Sequence, residues 1–284
     1  MQMEYSVDDV AGARRLQLSA YICTALVTFW TYDYIRSIHE EWTFLLMSRW
    51  TKVKGLYIIA RYIPFLLITV DLCLTFVLNE NPNKCQIISD IYASFGLISL
   101  TCSECFFILR THALWSNNMI VLLAILSTHI AIIIACIGIR LATIGTSYVT
   151  ISAIPGITGC YRSSGSFPFF VPFILFFVFA LGLLSLTLVQ VIQNWRMAKG
   201  PLHAILLKHS IFYYTCGLLL SAVNVLMPLL FSDSAYYFLL QESYIFIIAI
   251  LATRMHLRLW HMDQHVDGSD GLVWISLFDI PPTP

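Results

Sequence analysis

Met119–Ile139 reads MIVLLAILSTHIAIIIACIGI, with no Asp, Glu, Lys or Arg anywhere in the run. About 20 apolar residues in a helix cross the ~30 Å of a bilayer's hydrocarbon core. A helix also satisfies every backbone N–H and C=O within itself, which a lipid environment demands. Working outward from this stretch, six further windows have the same character: Leu16–Ile35, Leu56–Leu78, Ile88–Leu109, Phe169–Ile192, Ile211–Phe231 and Tyr237–Leu257. Polar breaks at Asn79–Lys84, Arg110–Asn118, Gln193–Pro201 and Ser232–Ser234 separate them. The pattern predicts an all-α polytopic membrane protein, a bundle of seven transmembrane helices.

Composition agrees. Hydrophobic residues make up 58% of the chain and charged residues 11%, against about 45–50% and about 25% in soluble globular domains. So few charges cannot cover a water-exposed surface. With 16 basic and 16 acidic residues there is no basic stripe of the kind nucleic acid requires. No internal repeat is evident, so repeat-built transporter folds gain no support. The first apolar run is too long for a signal-peptide h-region and is expected to stay as an anchor.

Lys and Arg near the span ends set the orientation. Ten lie in the first, third and fifth loops and after the last span, against five on the other side. This predicts an outside or lumenal N-terminal tail (residues 1–15), a bundle over residues 16–257 and a cytoplasmic C-terminal tail (residues 258–284). The membrane would be the plasma membrane or another of the secretory pathway. Glu41–Trp50, in the first loop, has Trp42, Leu45, Leu46 and Arg49 at helical spacing. It reads as an amphipathic helix lying in the cytoplasmic interface, the alternative being an extension of the first span.

Six of the eight cysteines fall within spans, where a thiol behaves as a small hydrophobe. Cys85 and Cys160 are the two on the predicted oxidising side, where disulfides persist. They are expected to pair, pinning the fourth loop to the top of the third helix; the alternative is two free loop thiols. Seven spans, an outside N-terminus and this bridge are the layout of G-protein-coupled receptors, an analogy of architecture that does not fix function. The third span ends Ile108-Leu109-Arg110-Thr111, without the acidic-arginine-aromatic triplet of the rhodopsin-like class. The seventh lacks Asn-Pro-x-x-Tyr, and no Lys follows Lys208 to carry a retinal Schiff base.

A more specific resemblance lies in Tyr32–Pro64, YDYIRSIHEEWTFLLMSRWTKVKGLYIIARYIP. It resembles the N-terminal signature of a basidiomycete fungal family of multispan membrane proteins of unknown function. The matching residues are Tyr32, Asp33, Tyr34, Glu41, Trp50, Lys54, Arg61, Tyr62 and Pro64. Arg110, followed by Ala113-Leu114-Trp115, is similar to a later motif of that family, and Thr253-Arg254-Met255 to the end of its last span. His39 and Leu46 depart from the signature. The resemblance implies a multispan membrane protein and no particular chemistry.

Ionisable residues inside spans are costly and are candidate functional sites. Arg61 and Glu104 lie at similar depth near the cytoplasmic ends of the second and third spans. They either form an intramembrane ion pair, or Arg61 snorkels to the interface while Glu104 meets a neighbouring polar group. Asp71, Asp90, Asn224, Gln241 and Glu242 lie toward the outer ends. They either line a net-acidic pocket for a cationic or polyhydroxyl small molecule, or each hydrogen-bonds a neighbouring helix. His129, near mid-span, reads as a structural residue before a proton relay. His256, His261, Asp263 and His265 cluster after the last span, and the His261-x-x-x-His265 spacing could place two imidazoles on one metal. The other histidines are scattered, and no Gly-x-Ser-x-Gly or phosphate-loop motif occurs. No metal or cofactor is therefore expected, and a non-enzymatic role is favoured. The expected partners are the bilayer, an unidentified small-molecule ligand and a cytoplasmic signalling protein. The reading is receptor-like, with a solute transporter or channel as the alternative and a metalloenzyme built on the tail histidines third.

Overall fold

A computed structural model describes residues 7–48, 50–76, 82–115, 118–144, 149–151, 160–162, 171–195, 201–230 and 234–267. They form seven helices: α1 Val7–Met47, α2 Lys52–Phe76, α3 Pro82–Leu114, α4 Met119–Ile144, α5 Val171–Trp195, α6 Pro201–Leu230 and α7 Ser234–Asp267. Between α4 and α5, β1 (Val149–Ile151) pairs antiparallel with β2 (Cys160–Arg162), Thr150 opposite Tyr161. Six helices, α2 to α7, contain stretches long and apolar enough to cross a membrane.

Local chemistry sets several boundaries. The Thr51 hydroxyl accepts from the Lys54 backbone N–H at 3.2 Å and caps the start of α2. The Asn118 side chain does the same for Ile120 at the start of α4, at 3.0 Å. Pro82 and Pro201 open α3 and α6, where a missing N–H costs nothing. At the end of α1, Lys54 Nζ donates to the carbonyls of Leu45 and Ser48, at 2.7 and 2.9 Å. A cation on the last carbonyls both bonds them and offsets the helix dipole. That contact joins α1 to α2 across a short connection.

Residues 41–50 do not form a separate interfacial helix, contrary to the expectation from their spacing. Residues 41–47 continue α1, and Trp50 lies beyond the helix end. The reason is burial. Glu41 and Phe44 are inside the bundle, while Trp42, Leu46 and Met47 face outward. A helix with one face packed on α2 and α7 has no cause to peel away. At 1.5 Å per residue, the 41-residue α1 runs about 60 Å.

α7 is the central helix. It packs against α6, α3, α1 and α2, whereas α4 and α5 bury the least of their surface. Two glycines admit it closely: a Cβ at Gly96 or at Gly217 would come within 3.2 Å of Ile245 Cδ1 or Ile248 Cδ1. Small residues at helix contacts let backbones approach. The outward face of α4 carries Ile120, Leu123, Ile130, Ile134, Ile137 and Leu141, all exposed.

The predicted disulfide is present. Cys85, fully buried at the start of α3, is bonded to Cys160 of β2, with Cα atoms 5.9 Å apart, within the range a bridge tolerates. β1 rests on α3 and β2 touches α1. One end of the bundle is thus covered by a short, covalently held strand pairing that the sequence pattern does not announce.

Candidate functional site

At the end of the bundle opposite the disulfide, one face of α1 is built around a single arginine. Trp30, Asp33, Tyr34, Ser37 and Glu41 recur at three- and four-residue steps, so they share a helical stripe. Arg61 of α2 projects into it. Its Nη1 donates to Asp33 Oδ2 at 2.8 Å, and its Nη2 donates to Ser37 Oγ at 2.6 Å and pairs with Glu41 Oε1. The guanidinium also lies 5.1 Å from the Trp30 ring centroid and 5.6 Å from that of Tyr34, within cation–π range. Arg254 of α7 completes the group. Its Nη2 and Nε donate to Asp33 Oδ1 at 2.8 and 3.1 Å, and Nη2 also reaches the Asp33 carbonyl at 3.3 Å. Asp33 thereby holds one arginine on each carboxylate oxygen.

Two carboxylates and two arginines balance to zero net charge. Arg61 is 1% exposed and Glu41 2%, so a lone charge here would be severely penalised, and pairing is what makes the site tolerable. A guanidinium suits it because a planar fork reaches several acceptors at once. Four buried polar atoms at this site have no hydrogen-bond partner: Trp30 Nε1, Arg61 Nε, Glu41 Oε2 and Tyr57 Oη.

The Arg61–Glu104 pair anticipated from their depth is not formed. Arg61 is paired by α1 instead, because α1 continues past the expected loop boundary and brings Ser37 and Glu41 to its level. Glu104 is buried at 3% exposure, and it makes no ion pair among the described residues. Arg110 stands apart from both, donating from Nε to Ser210 Oγ of α6 at 3.0 Å. Next to it, Tyr214 Oη donates to the Phe107 carbonyl at 2.6 Å, and Thr111 Oγ1 lies 2.8 Å from Tyr214 Oη and 3.4 Å from Thr187 Oγ1. The same end therefore carries two polar joints: a charged one across α1, α2 and α7, and a hydroxyl one across α3, α5 and α6.

Toward the disulfide end, the five residues expected to line one pocket divide. Asp90 pairs with Arg140 of α4 at 2.7 Å and accepts from Gln86 one turn back. Asn224 donates to the Leu220 carbonyl of its own helix at 3.0 Å. The side chain of Gln241 lies outside the described residues. Asp71 is buried on α2 and lies within electrostatic reach of Cys23 on α1 and of Glu242 on α7.

The remaining motif residues are supports. Tyr34 meets Phe65 edge-on at 5.0 Å and Tyr62 at 6.5 Å. Tyr32 is exposed, as is Trp50, whose ring lies 4.7 Å beneath Lys54 Nζ. His129 is buried against Phe179, with neither ring nitrogen bonded. His256 sits among Phe44, Tyr57 and Phe106. The side chains of Asp263 and His265 lie outside the described residues. No group of three or more His, Cys, Asp or Glu side chains among the described residues is placed to hold a metal.

Arg254 and Ser37 are the site residues that sequence reasoning does not assign. Arg254 enters only as a charge near a span end and as part of a motif. Ser37 is not singled out, although Asp33, Ser37 and Glu41 at steps of four are the signal that would find it. Assigning Glu41 to a loop hides that periodicity.

Residues 21–66 match a family described as a family of unknown function, DUF6533. No curated protein and no solved structure matches the chain. The matched segment contains Asp33, Ser37, Glu41 and Arg61, so all of the charge network except Arg254 lies within it.

Proposed function

We propose that this chain is a seven-span integral membrane protein of a secretory-pathway membrane, such as the plasma membrane. Its N-terminal tail (residues 1–15) faces outside, its bundle covers residues 16–257, and its C-terminal tail (residues 258–284) is cytoplasmic. α1 is the seventh span. Its Thr24 and Thr28 hydroxyls each donate to the carbonyl four residues earlier, at 2.8 Å. That polarity is spent inside the helix, which a residue-by-residue hydropathy sum does not credit. The excess of Lys and Arg at the ends near the charge network favours a cytoplasmic setting for that end. A disulfide at the opposite end fits an oxidising compartment.

Within that frame the protein is receptor-like: a small-molecule ligand engages the disulfide-bearing end, and a cytosolic protein reads the other. The observation that carries this is Asp33 gripping Arg61 and Arg254 from two other helices. Charges bound in one arrangement hold three helices in register, and a modest helix shift would exchange partners, as switching interfaces do. The fungal-family resemblance is proposed to extend over the whole bundle, and catalysis plays no part. A second reading, a small-solute transporter or channel, is favoured by the buried carboxylate of Asp71 inside α2.

Reporter fusions at each connection would test the frame; a cytoplasmic Cys160 is incompatible with it. Proximity labelling in cells should then recover a cytosolic partner whose yield changes when Asp33 is replaced. Solute uptake into liposomes by the purified protein, with no such partner, would favour the transporter.

A further inference from the structure

α7 packs on α1 along one side and on α6 along another. At the charge-network end, Arg254 and Arg258 stand one turn apart on one face of α7, where side chains four residues apart are neighbours. Arg254 leans toward α1. Its Nη2 and Nε donate to Asp33 Oδ1 at 2.8 and 3.1 Å, yet its side chain stays 21% exposed. Arg258 is exposed and leans toward α6, with its Cζ 5.9 Å from the ring centroid of Tyr213, at the edge of cation–π range. The two guanidiniums therefore share the outward edge of α7, with α1 on one side and α6 on the other.

Their charge is not used up. Asp33, Glu41, Arg61 and Arg254 balance among themselves. Arg258 lies outside that balance and makes no ion pair among the described residues. Asp33 engages Nε and Nη2 of Arg254 and leaves Nη1 over. The surface next to this cation pair is apolar. Tyr213 is buried beneath Arg258, and the ring of Phe212, which is exposed, meets it edge-on at 5.8 Å. From Phe212 an exposed apolar stripe runs along α6 through Leu219, Val223 and Leu226, at helical spacing and away from Arg258. Phe212 to Val223 is a rise of about 16 Å, close to half of the ~30 Å hydrocarbon core. A free phosphate needs only the cations. A stripe one leaflet deep that starts beside them fits a lipid tail.

We infer that Arg254 and Arg258 bind the phosphate of an anionic phospholipid whose acyl chain lies along Phe212, Leu219 and Val223 of α6. Arg258 offers a planar fork to two phosphate oxygens. Arg254 adds Nη1 without leaving Asp33. The bound phosphate shares Arg254 with Asp33, so the lipid bears on the charge network from outside the bundle. The inference needs the bundle to lie in a membrane, and it is independent of whether the protein is a receptor or a transporter.

Native mass spectrometry of the full chain, released from detergent, counts bound lipid as dioleoyl phosphatidic acid or dioleoyl phosphatidylcholine is titrated in. The wild type should hold phosphatidic acid about tenfold more tightly than phosphatidylcholine. Arg258→Gln should lose about tenfold in affinity for phosphatidic acid, the worth of one charge-assisted contact, and Arg258→Lys should recover only part of it, because an ammonium lacks the fork. Helical circular dichroism of both variants should match the wild type, since Arg258 is exposed, so lost binding is not lost fold. Lys52→Gln removes an exposed cation at the start of α2 and should leave the affinity unchanged. Phe212→Ser should weaken phosphatidic acid as well. Alkaline extraction of membranes from expressing cells checks insertion separately, so failure of the membrane reading is not confused with failure of the lipid site. Equal retention of the two lipids, or equal losses in Arg258→Gln and Lys52→Gln, overturns the proposal. So does a Phe212→Ser variant that binds as the wild type does while excess inorganic phosphate strips the lipid from both, which would make free phosphate the ligand.

Discussion

Replacing Asp33 with Asn keeps shape and removes one charge from a four-charge network. The remaining sum is one positive charge, set mostly on Arg254, because Arg61 keeps its pair with Glu41. Breaking a buried pair by neutralising one partner costs about 3–5 kcal/mol. Here the lower end applies, because the Arg254 side chain is 21% exposed and water screens part of its loss. A loss of about 3 kcal/mol lowers the melting temperature by roughly 6–12 °C in a chain of this class. Thermal unfolding in detergent, followed by labelling of the buried Cys23 and Cys136 thiols, measures it. Arg254→Gln in the Asp33→Asn background restores neutrality and leaves the Arg61–Glu41 pair whole, so more than half of the loss should return. A single variant melting within about 2 °C of the wild type, or a double variant no better than additive, would refute the network as a cooperative unit.

Arg61→Lys should lose about 1–3 kcal/mol in the same assay, since one ammonium cannot reach Asp33, Ser37 and Glu41 from two separate nitrogens. Cys85→Ser and Cys160→Ser should destabilise equally, and the double variant no further. The 75-residue separation sets a ceiling of about 4–5 kcal/mol, and a membrane that restrains the unfolded chain lowers it; unequal singles on non-reducing gels and melts would contradict a sole Cys85–Cys160 bridge. Lys54→Met should fray the end of α1, visible as faster backbone hydrogen exchange at Leu45–Ser48, because two terminal carbonyls lose their donor. Gly217→Leu should cost several times more than Gly217→Ala in thermal stability, since the Ile248 methyl group already stands 3.2 Å from where a β-carbon would sit.

The helices are legible in the sequence because lipid imposes a local rule. A run such as Met119–Ile139 announces itself whatever its neighbours do. The disulfide is legible for a similar reason: compartment and elimination leave two cysteines. The partners of Arg61 are not legible, because a depth estimate fixes a coordinate along the membrane normal and says nothing of azimuth. Glu104 has the right depth and the wrong direction. Asp33 has the right direction and shows in the sequence only as a motif letter. The error at residues 41–50 has the same source: the stripe Trp42, Leu45, Leu46 and Arg49 fits an interfacial helix as well as a continuing one, and only the burial of Glu41 and Phe44 separates the two. Arg140, which the sequence shows as a charge on a loop, lies within α4 and pairs with Asp90, a partner that depth along the chain does not reveal.

Asp33 and Asp71 are both buried carboxylates, yet a substitution at each reveals a different thing. At Asp33 the charges cancel, so the network resists any single change and tolerates a compensated pair. Asp71 makes no ion pair among the described residues, so neutralising it removes a buried acid that no cation offsets. Asp71→Asn is therefore expected to leave the bundle as stable as the wild type or slightly more so, while Asp33→Asn destabilises it, although both remove one buried carboxylate. The contrast tests the charge assignment and not merely burial, because loss of packing would move both variants in the same direction.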